Sequence, residues 1–373
     1  MIQPLSSSGL TQDERDILRE LLTEWETHRS GNRLKTAYHE LEQRVRNLGI
    51  ALPDTFAGLD ISLGWPRKAV NALARKHVSE GFSIAGQPDP FDLNQILRAN
   101  EFDIELPQAF TATYQHGVSF LTTTKGDPTI GEPEVVVTAR DAEWASAIWD
   151  KKRRQIKHAM RILDTDKDNQ PAEMLLFLPG QIITLHKTLG VWTVNNRVTT
   201  PPNRVMVEPL PSNPDISRPF GRSRIDKEIR YLTDAACRTL LRSEVGAEFF
   251  SAPQRALLGA DPDAAENAHW SARLGQVWTL DVNSEGQNPT LQQLQQVSMV
   301  PSLEMYRQLA QNFCSAASLP QSTVGIFADN PASAEAMQAA EYALSDLAEY
   351  QWKIFRSRLQ RTHQNMLMLR DNL

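Results

Sequence analysis

Pro219-Phe220-Gly221-Arg222-Ser223-Arg224-Ile225-Asp226 marks the point where the chain changes character. Ser223 is a residue type that caps helices, and Asp226 three positions on suits the positive end of the helix that should follow. An apolar stripe then runs through Ile225, Ile229, Leu232, Ala236 and Leu240, which predicts one long helix to about Phe250. Immediately upstream, residues 199–219 hold six prolines: Pro201, Pro202, Pro209, Pro211, Pro214 and Pro219. Lacking an N–H, proline is excluded from helix interiors and central strands, so this stretch reads as an extended linker or arm.

Further upstream, short β-type runs at 118–123, 135–138, 144–149, 156–163, 174–178, 181–186 and 191–194 are separated by turn-formers at hairpin spacing, which predicts a meander. Helical patterns come before them. Thr11-Gln12-Asp13-Glu14 is a capping box in front of a stripe of Ile17, Leu18, Leu21, Leu22 and Trp25. A second helix is expected over 32–47, carrying Leu34, Ala37, Tyr38, Leu41 and Val45 and stopped near Gly49. Residues 52–63 read as a connector. Pro66 suits the first turn of a helix with Ala69, Val70, Leu73 and Ala74, and shorter helices are expected near 91–100 and 104–116. The fold class is therefore α+β.

Downstream of Phe250, an apolar run at 254–258, a helix-like stretch at 262–274 and a strand-like 276–281 read as a compact β-α-β insert. Leu303, Tyr306, Ala310, Phe313 and Ala317 mark a helix that begins near Pro301 and is stopped by Pro320. Residues 319–332 form a loop rich in Ser, Gly, Asn and Pro. Asn330 and Pro331 then supply cap and first turn for a long helix with Met337, Ala340, Leu344, Leu347, Ile354 and Phe355 on its apolar face. No internal repeat is present.

A length of 373 residues implies two or three domains. Hydrophobic residues at 41% and charged residues at 23% are ordinary globular usage, which excludes wholesale disorder and collagen-like classes. Mean hydropathy is −0.41 and no stretch is apolar enough for a membrane span. The N-terminus lacks the basic and apolar regions of a secretory signal. Two cysteines, Cys237 and Cys314, give no disulfide framework or metal-ligand spacing and point to assembly in a reducing, intracellular compartment. A net charge of −6 argues against a clamp that grips DNA by neutralising phosphates.

Few constellations carry chemistry. Asp164-Thr165-Asp166-Lys167-Asp168-Asn169 opens like a calcium loop, but Asn169 stands where a glycine is needed and Leu175 where the closing glutamate should be; a hairpin turn is the better reading. No phosphate-binding glycine loop, dinucleotide fingerprint, zinc-protease or serine-hydrolase motif occurs, and the eight histidines are scattered. Neither catalysis nor a cofactor is expected. Lys151-Lys152-Arg153-Arg154 reads as a solvated hairpin tip that could also meet phosphate or an acidic partner. In the final helix Asp329, Glu335, Glu341, Asp346 and Glu349 precede Lys353, Arg356, Arg358 and Arg361. That order complements the helix dipole, and equally suits side-by-side packing of identical subunits.

The run from Phe220 to Ile225, followed by Leu232-Thr233-Asp234-Ala235-Ala236, Arg238-Thr239-Leu240-Leu241-Arg242, Glu244-Val245-Gly246-Ala247-Glu248-Phe249-Phe250 and Ser251-Ala252-Pro253-Gln254-Arg255, closely resembles portal proteins of long-tailed phages that infect actinobacteria. Leu319-Pro320-Gln321-Ser322-Thr323-Val324-Gly325 with Asn330-Pro331-Ala332-Ser333-Ala334-Glu335-Ala336 resembles that family's loop and long-helix start. Leu10-Thr11-Gln12-Asp13-Glu14-Arg15, Asn47-Leu48-Gly49-Ile50-Ala51-Leu52-Pro53 and Gly64-Trp65-Pro66-Arg67-Lys68-Ala69-Val70 resemble its opening.

The resemblance implies a non-enzymatic ring, usually of twelve subunits, at one capsid vertex. Through it double-stranded DNA is packaged by the terminase large subunit and later ejected, and a head–tail adaptor docks there after packaging. Major capsid and scaffold proteins are the other implied partners, assembly is in the host cytoplasm, and no membrane is involved. By the same resemblance, 1–220 correspond to the wing, 221–250 to the first stem helix, 251–299 to the clip, 300–317 to the second stem helix, 318–332 to the tunnel loop and 333–373 to the long helix toward the crown. Relatives often continue further, which leaves a full crown in question. Ser322, Thr323, Asp329 and Asn330 are the expected DNA-channel residues; Gln254, Arg255, Asp261, Trp270 and Arg273 are the expected clip contacts. The competing readings are another head–tail connector ring, or a metal-dependent phage nuclease, which would require carboxylates or histidines converging on a cation.

Overall fold

The computed structural model describes residues 7–44, 61–83, 87, 89–251, 255–258, 290–293, 298–326 and 334–371. These divide into two compact units, one of Met1–Arg44, Ser62–Asp234 and Ala310–Leu373, the other of Val45–Ile61 and Ala235–Leu309.

In the first unit, α1 (Gln12–Glu40) starts at the expected box: Thr11 Oγ1 accepts from the Glu14 N–H at 3.3 Å and Glu14 Oε2 accepts from the Thr11 N–H at 2.8 Å. It is one helix and not the two that its sequence predicts. Nothing stands within 4 Å of where a Gly31 side chain would be, and the next residue is tied down by Asn32 Nδ2 donating to Ala142 O at 3.0 Å, so the roughly 1 kcal/mol that a mid-helix glycine costs is tolerated. Leu41, in the left-handed region at φ 63°, ends it.

Leu18, Leu21 and Trp25 of α1, with Leu10, pack on a six-stranded sheet through Met160, Ile162, Met174, Leu176, Ile183 and Leu185. Its strands are β1 (Ser7–Ser8), β4 (Ala145–Asp150), β5 (Gln155–Thr165), β6 (Pro171–Leu178), β7 (Gln181–Thr188) and β8 (Val191–Thr199), in the order β1-β8-β7-β6-β5-β4. From β4 to β8 this is the expected antiparallel meander, and β1 adds parallel to β8. The Asp164–Asn169 stretch is its β5–β6 turn. There Asp166 Oδ1 accepts from the N–H groups of Asp168 and Gln170 at 2.9 and 2.8 Å, so that carboxylate serves its own backbone.

The remaining strands leave the meander. β2 (Val118–Lys125) and β3 (Val135–Asp141) join β9 (Val207–Pro211) in a separate antiparallel sheet of order β3-β2-β9. Part of the proline-rich stretch is thus a buried edge strand and not the linker or arm its composition suggested. The register pairs Phe120 with Pro209 and Val118 with Pro211, while the intervening even-numbered residues aim their N–H groups at β2, as Ser212 N does at Gly117 O (2.8 Å). Both prolines therefore turn their missing donors to the free edge, where none is needed.

That edge is covered by α7 (Ala334–Arg370), whose buried Gln351 donates to Pro211 O at 2.7 Å and accepts from Asn213 N at 2.9 Å. α4 (Phe102–His116) packs on the same sheet through a polar knot: Thr113 Oγ1 donates to Leu210 O at 3.0 Å, and Ser119 Oγ to Ala109 O at 2.9 Å. Phe110 of α4 stacks on Phe355 of α7 at 4.8 Å. His77, which follows α2 (Trp65–Ala74), packs among Tyr114, Trp352 and Phe355 and bonds the Tyr114 hydroxyl. Pro66 occupies the first turn of α2 as expected, and α3 (Leu93–Ala99) precedes α4.

The second unit contains the later part of α5 (Lys227–Ser251), the early part of α6 (Val300–Ala316) and an antiparallel pair, β10 (Arg255–Leu258) with β11 (Thr290–Gln293). The helix-like 262–274 and strand-like 276–281 lie outside the described residues; β11 is a strand the sequence reading did not place. Among the described residues no helix is long and apolar enough to cross a membrane, and no group of His, Cys, Asp or Glu is arranged to hold a metal.

Candidate functional site

The motif that divides the sequence proves to be a joint. Phe220 inserts its ring against Phe120 and Trp149, both centroids at 5.8 Å. Gly221 has φ +73°, and a Cβ there would lie 2.1 Å from Ser212 O, so backbone sterics admit only glycine. Arg222 pairs with Asp215, whose carboxyl is held far below the usual range, first by the Ser217 hydroxyl and then by that guanidinium.

Ser223 does not cap the helix. Its hydroxyl donates to Gln115 O and accepts from Ile225 N at 2.9 Å. The cap is Asp226, whose Oδ1 accepts from Ile229 N at 2.9 Å, because α5 starts one turn later than the apolar stripe suggests. Arg224 is the hub: its N–H donates to Tyr114 O at 2.8 Å, its Nε to Ala69 O at 2.8 Å and its Nη2 to Ala317 O. The guanidinium thereby fastens α2 to the exit of α6 with its fixed fork, while the backbone N–H of the same residue ties the motif to α4.

The loop after α6 hangs from this joint. Ala317 and Leu319 are buried, Leu319 N donates to Cys314 O at 2.8 Å, and Trp65 stacks on Phe313 at 4.8 Å. Burial pushes the Cys314 thiol up, with the Lys68 ammonium opposing it. A single 3₁₀ turn, Gln321–Val324, closes with Gly325 at φ 82°. Lys68 Nζ donates to Thr323 O at 2.6 Å, which fixes the turn to α2. Ser322 is exposed and Thr323 half-buried, the two standing side by side on the turn. Asp329 and Asn330 lie outside the described residues, as do Gln254, Asp261, Trp270 and Arg273. Arg255 opens β10 opposite Gln293. The anchors Arg224 and Lys68 were visible only as members of motifs, since nothing local signals that a cation will bond carbonyl groups on distant helices.

A second feature is a buried charge cluster. Glu208 on β9 has a side chain only 4% exposed and faces Arg361 Nε at 3.1 Å, Arg204 at 3.5 Å and Arg358 at 3.8 Å. Burial pushes its carboxyl up and the three guanidiniums pull it back. Arg361 also reaches Gln155 Oε1 at 3.4 Å, and Arg358 lies 5.3 Å over the Trp149 ring. Arg358 and Arg361, two of the five arginine and lysine residues in the basic half of α7, are therefore spent within the first unit.

The sequence matches the family described as "Phage portal protein, SPP1 Gp6-like" over residues 29–371. It is 28% identical over 356 residues to the "Portal protein" of Mycobacterium phage L5, covering 92% of this chain and 72% of that one. It is likewise 28% identical over 368 residues to the "Portal protein" of Mycobacterium phage D29, covering 95% and 75%. Among solved structures, a chain of "Virion of native gene transfer agent (GTA) particle" superposes with a TM-score of 0.46 at 14% identity, covering 84% of this chain and 81% of that one.

Proposed function

The chain belongs to the phage portal protein family, whose members are structural, non-enzymatic virion components, and from that premise we propose that it forms a ring of about twelve copies at a single capsid vertex. The observation that carries this reading is the family match from residue 29 to residue 371, which spans the joint, both flanking helices and the long helix together. In this reading residues 1–220 are the wing, 221–250 and 300–317 the two stem helices, 251–299 the clip, 318–332 the tunnel loop and 333–373 the long helix. DNA passes through the channel during packaging and ejection. The terminase large subunit and then the head–tail adaptor dock on the clip, with Gln254, Arg255, Asp261, Trp270 and Arg273 among the contacts. Assembly takes place in the host cytoplasm with scaffold and major capsid protein.

Physical chemistry supports the assignment. A conduit must let phosphates slide, and phosphate contacts by Lys and Arg are what make DNA binding tight. Ser322 and Thr323 offer hydroxyls on a turn whose base is held by Arg224 and by Lys68, an ammonium already engaged with the Thr323 carbonyl. With Asp329 and Asn330 they are the residues proposed to approach the duplex. A closed ring needs head-to-tail contacts between two different patches of the same chain.

Electron microscopy of the purified chain and of the virion vertex tests the ring: a channelled particle of about twelve copies is expected, and absence from a unique vertex would overturn it. Deleting residues 322–330 tests the loop. Unchanged DNA packaging and retention in particles carrying that deletion would overturn the channel assignment while leaving the ring intact.

A further inference from the structure

Among the described residues, two exposed, oppositely charged patches of the first unit have no partner of matching size within it. The first is on α7: Glu341, Asp346 and Glu349 are exposed together with Tyr342 and Tyr350, which are 72% and 52% exposed. Residues 342, 346 and 350 recur at helical spacing and form one ridge, with Glu341 and Glu349 flanking it. Of these carboxylates Glu341 pairs with Lys76 at 3.3 Å. Beside the ridge lies a shallow groove of about 330 Å³ whose walls include Val78, Ser345 and the half-buried Trp352. Exposed tyrosines around a charged, aromatic-lined groove are the composition of a protein-binding surface and not of a solvated helix face.

The second patch is the β4–β5 tip. Lys151, Lys152, Arg153 and Arg154 are all exposed, and Lys157 adds a fifth exposed cation. The carboxylate within the turn, Asp150, is used by the turn itself, accepting from the N–H groups of Lys152 and Arg153 at 2.8 and 3.0 Å. In a chain of net charge −6 this concentration of positive charge is local and projecting.

The two patches cannot satisfy each other within one molecule. Gln155, which follows the tip, is bonded by Arg361, and along α7 Arg361 lies 12 to 20 residues beyond Glu349 and Glu341. At about 1.5 Å per residue that is about 18–30 Å of helix. We infer that the acidic, tyrosine-bearing ridge of α7 receives the basic β4–β5 tip of a second copy of this chain, lysine and arginine stems lying in the groove against Trp352 and their charges meeting Asp346 and Glu349. Long basic side chains suit this seat, because their methylene stems cover apolar surface while their heads reach carboxylates or an indole face. Two distinct patches make the contact heterologous, so it propagates around a ring without capping itself. The inference rests on the ring reading above and names the surfaces that would close it.

The test uses two full-length variants, Asp346→Lys with Glu349→Lys, and Lys152→Glu with Arg153→Glu, checked for native melting by circular dichroism and examined by sedimentation and negative-stain microscopy beside the parent chain. Each variant alone should lose at least a hundredfold in self-association, since like charges placed face to face across an interface cost several kcal/mol. Mixed in equal amounts they should form rings again, because each reversed ridge now matches the other variant's tip in alternation. Normal rings from either variant alone, or no recovery on mixing, would overturn the inference and leave the ring reading standing. A parent chain that forms no ring, alone or at the virion vertex, would overturn both. If the tip variant assembles normally but loses affinity for a duplex oligonucleotide, the tip is a nucleic-acid contact and the inference fails.

Discussion

Replacing Glu208 by alanine would leave three guanidinium groups around an empty site. Removing one partner of a buried ion pair costs about 3–5 kcal/mol, because the charges left behind keep their desolvation penalty and lose their compensation. The lower end applies here. The arginine side chains retain 17–30% exposure, Arg204 keeps Gln364 Oε1 at 3.1 Å and Arg361 O at 2.9 Å, and Arg361 keeps Gln155 at 3.4 Å. A loss of about 3 kcal/mol is therefore expected, or roughly 5–10 °C in melting temperature. Glu208→Gln, which preserves volume and an acceptor for Arg361 Nε, should cost about half as much. Arg358→Met should cost least, within about 1 kcal/mol, because it removes the most distant ion pair and relieves repulsion among three cations facing one anion. Differential scanning calorimetry of the three variants reads the order directly. The reasoning is refuted if Glu208→Ala melts with the parent, or if Arg358→Met is the most damaging of the three.

Gly221→Ala should fail to give soluble, cooperatively melting protein, since its Cβ would sit 2.1 Å from a backbone oxygen at φ +73°. Gly131→Ala, at φ +87° but with nothing within 4 Å, is the control and should lose only about 1–2 kcal/mol. Arg224→Lys should accelerate hydrogen exchange at Leu319, Thr323 and Gly325 at least tenfold while leaving β5–β7 protected, because the loop loses its tie at Ala317 but the meander does not; uniform acceleration would show that the side chain acts globally. Burial holds His363 at about 4, and neither ring nitrogen is hydrogen-bonded to any of the described residues. Its neutral form is favoured by the fold, so its contribution is complete above pH 6.5 and is lost as pH falls toward 4, at most about 3 kcal/mol. His363→Phe should therefore flatten the melting-temperature profile between pH 6.5 and 4, and an unchanged slope would place the acid sensitivity elsewhere.

Helix positions, hairpin turns and the family were legible in the chain because each rests on local signals. The Thr11–Glu14 box, Pro66 in a first turn, the β4–β8 meander and the Asp166 turn all need only neighbours within a few residues. The errors share one cause. A separate second helix over 32–47 and a Ser223 cap follow from local propensity alone, whereas the tie from Asn32 to Ala142 and the bond from Ser223 to Gln115 decide otherwise. Pro209 and Pro211 read as linker because proline is costly inside a sheet, and only the edge position beside β2, sealed by Gln351 of α7, turns their missing donors outward at no cost. The basic half of α7 looked free until Glu208, some 150 residues earlier, took up Arg358 and Arg361. Sequence by itself thus determined the capped start of α1, the first turn of α2, the hairpin turns of the meander and which family the chain resembles, since periodicity and short motifs record interactions along the chain. Tertiary structure alone decided which charges are consumed inside the first unit and which stay exposed, because pairing between distant residues leaves no periodic mark on either segment.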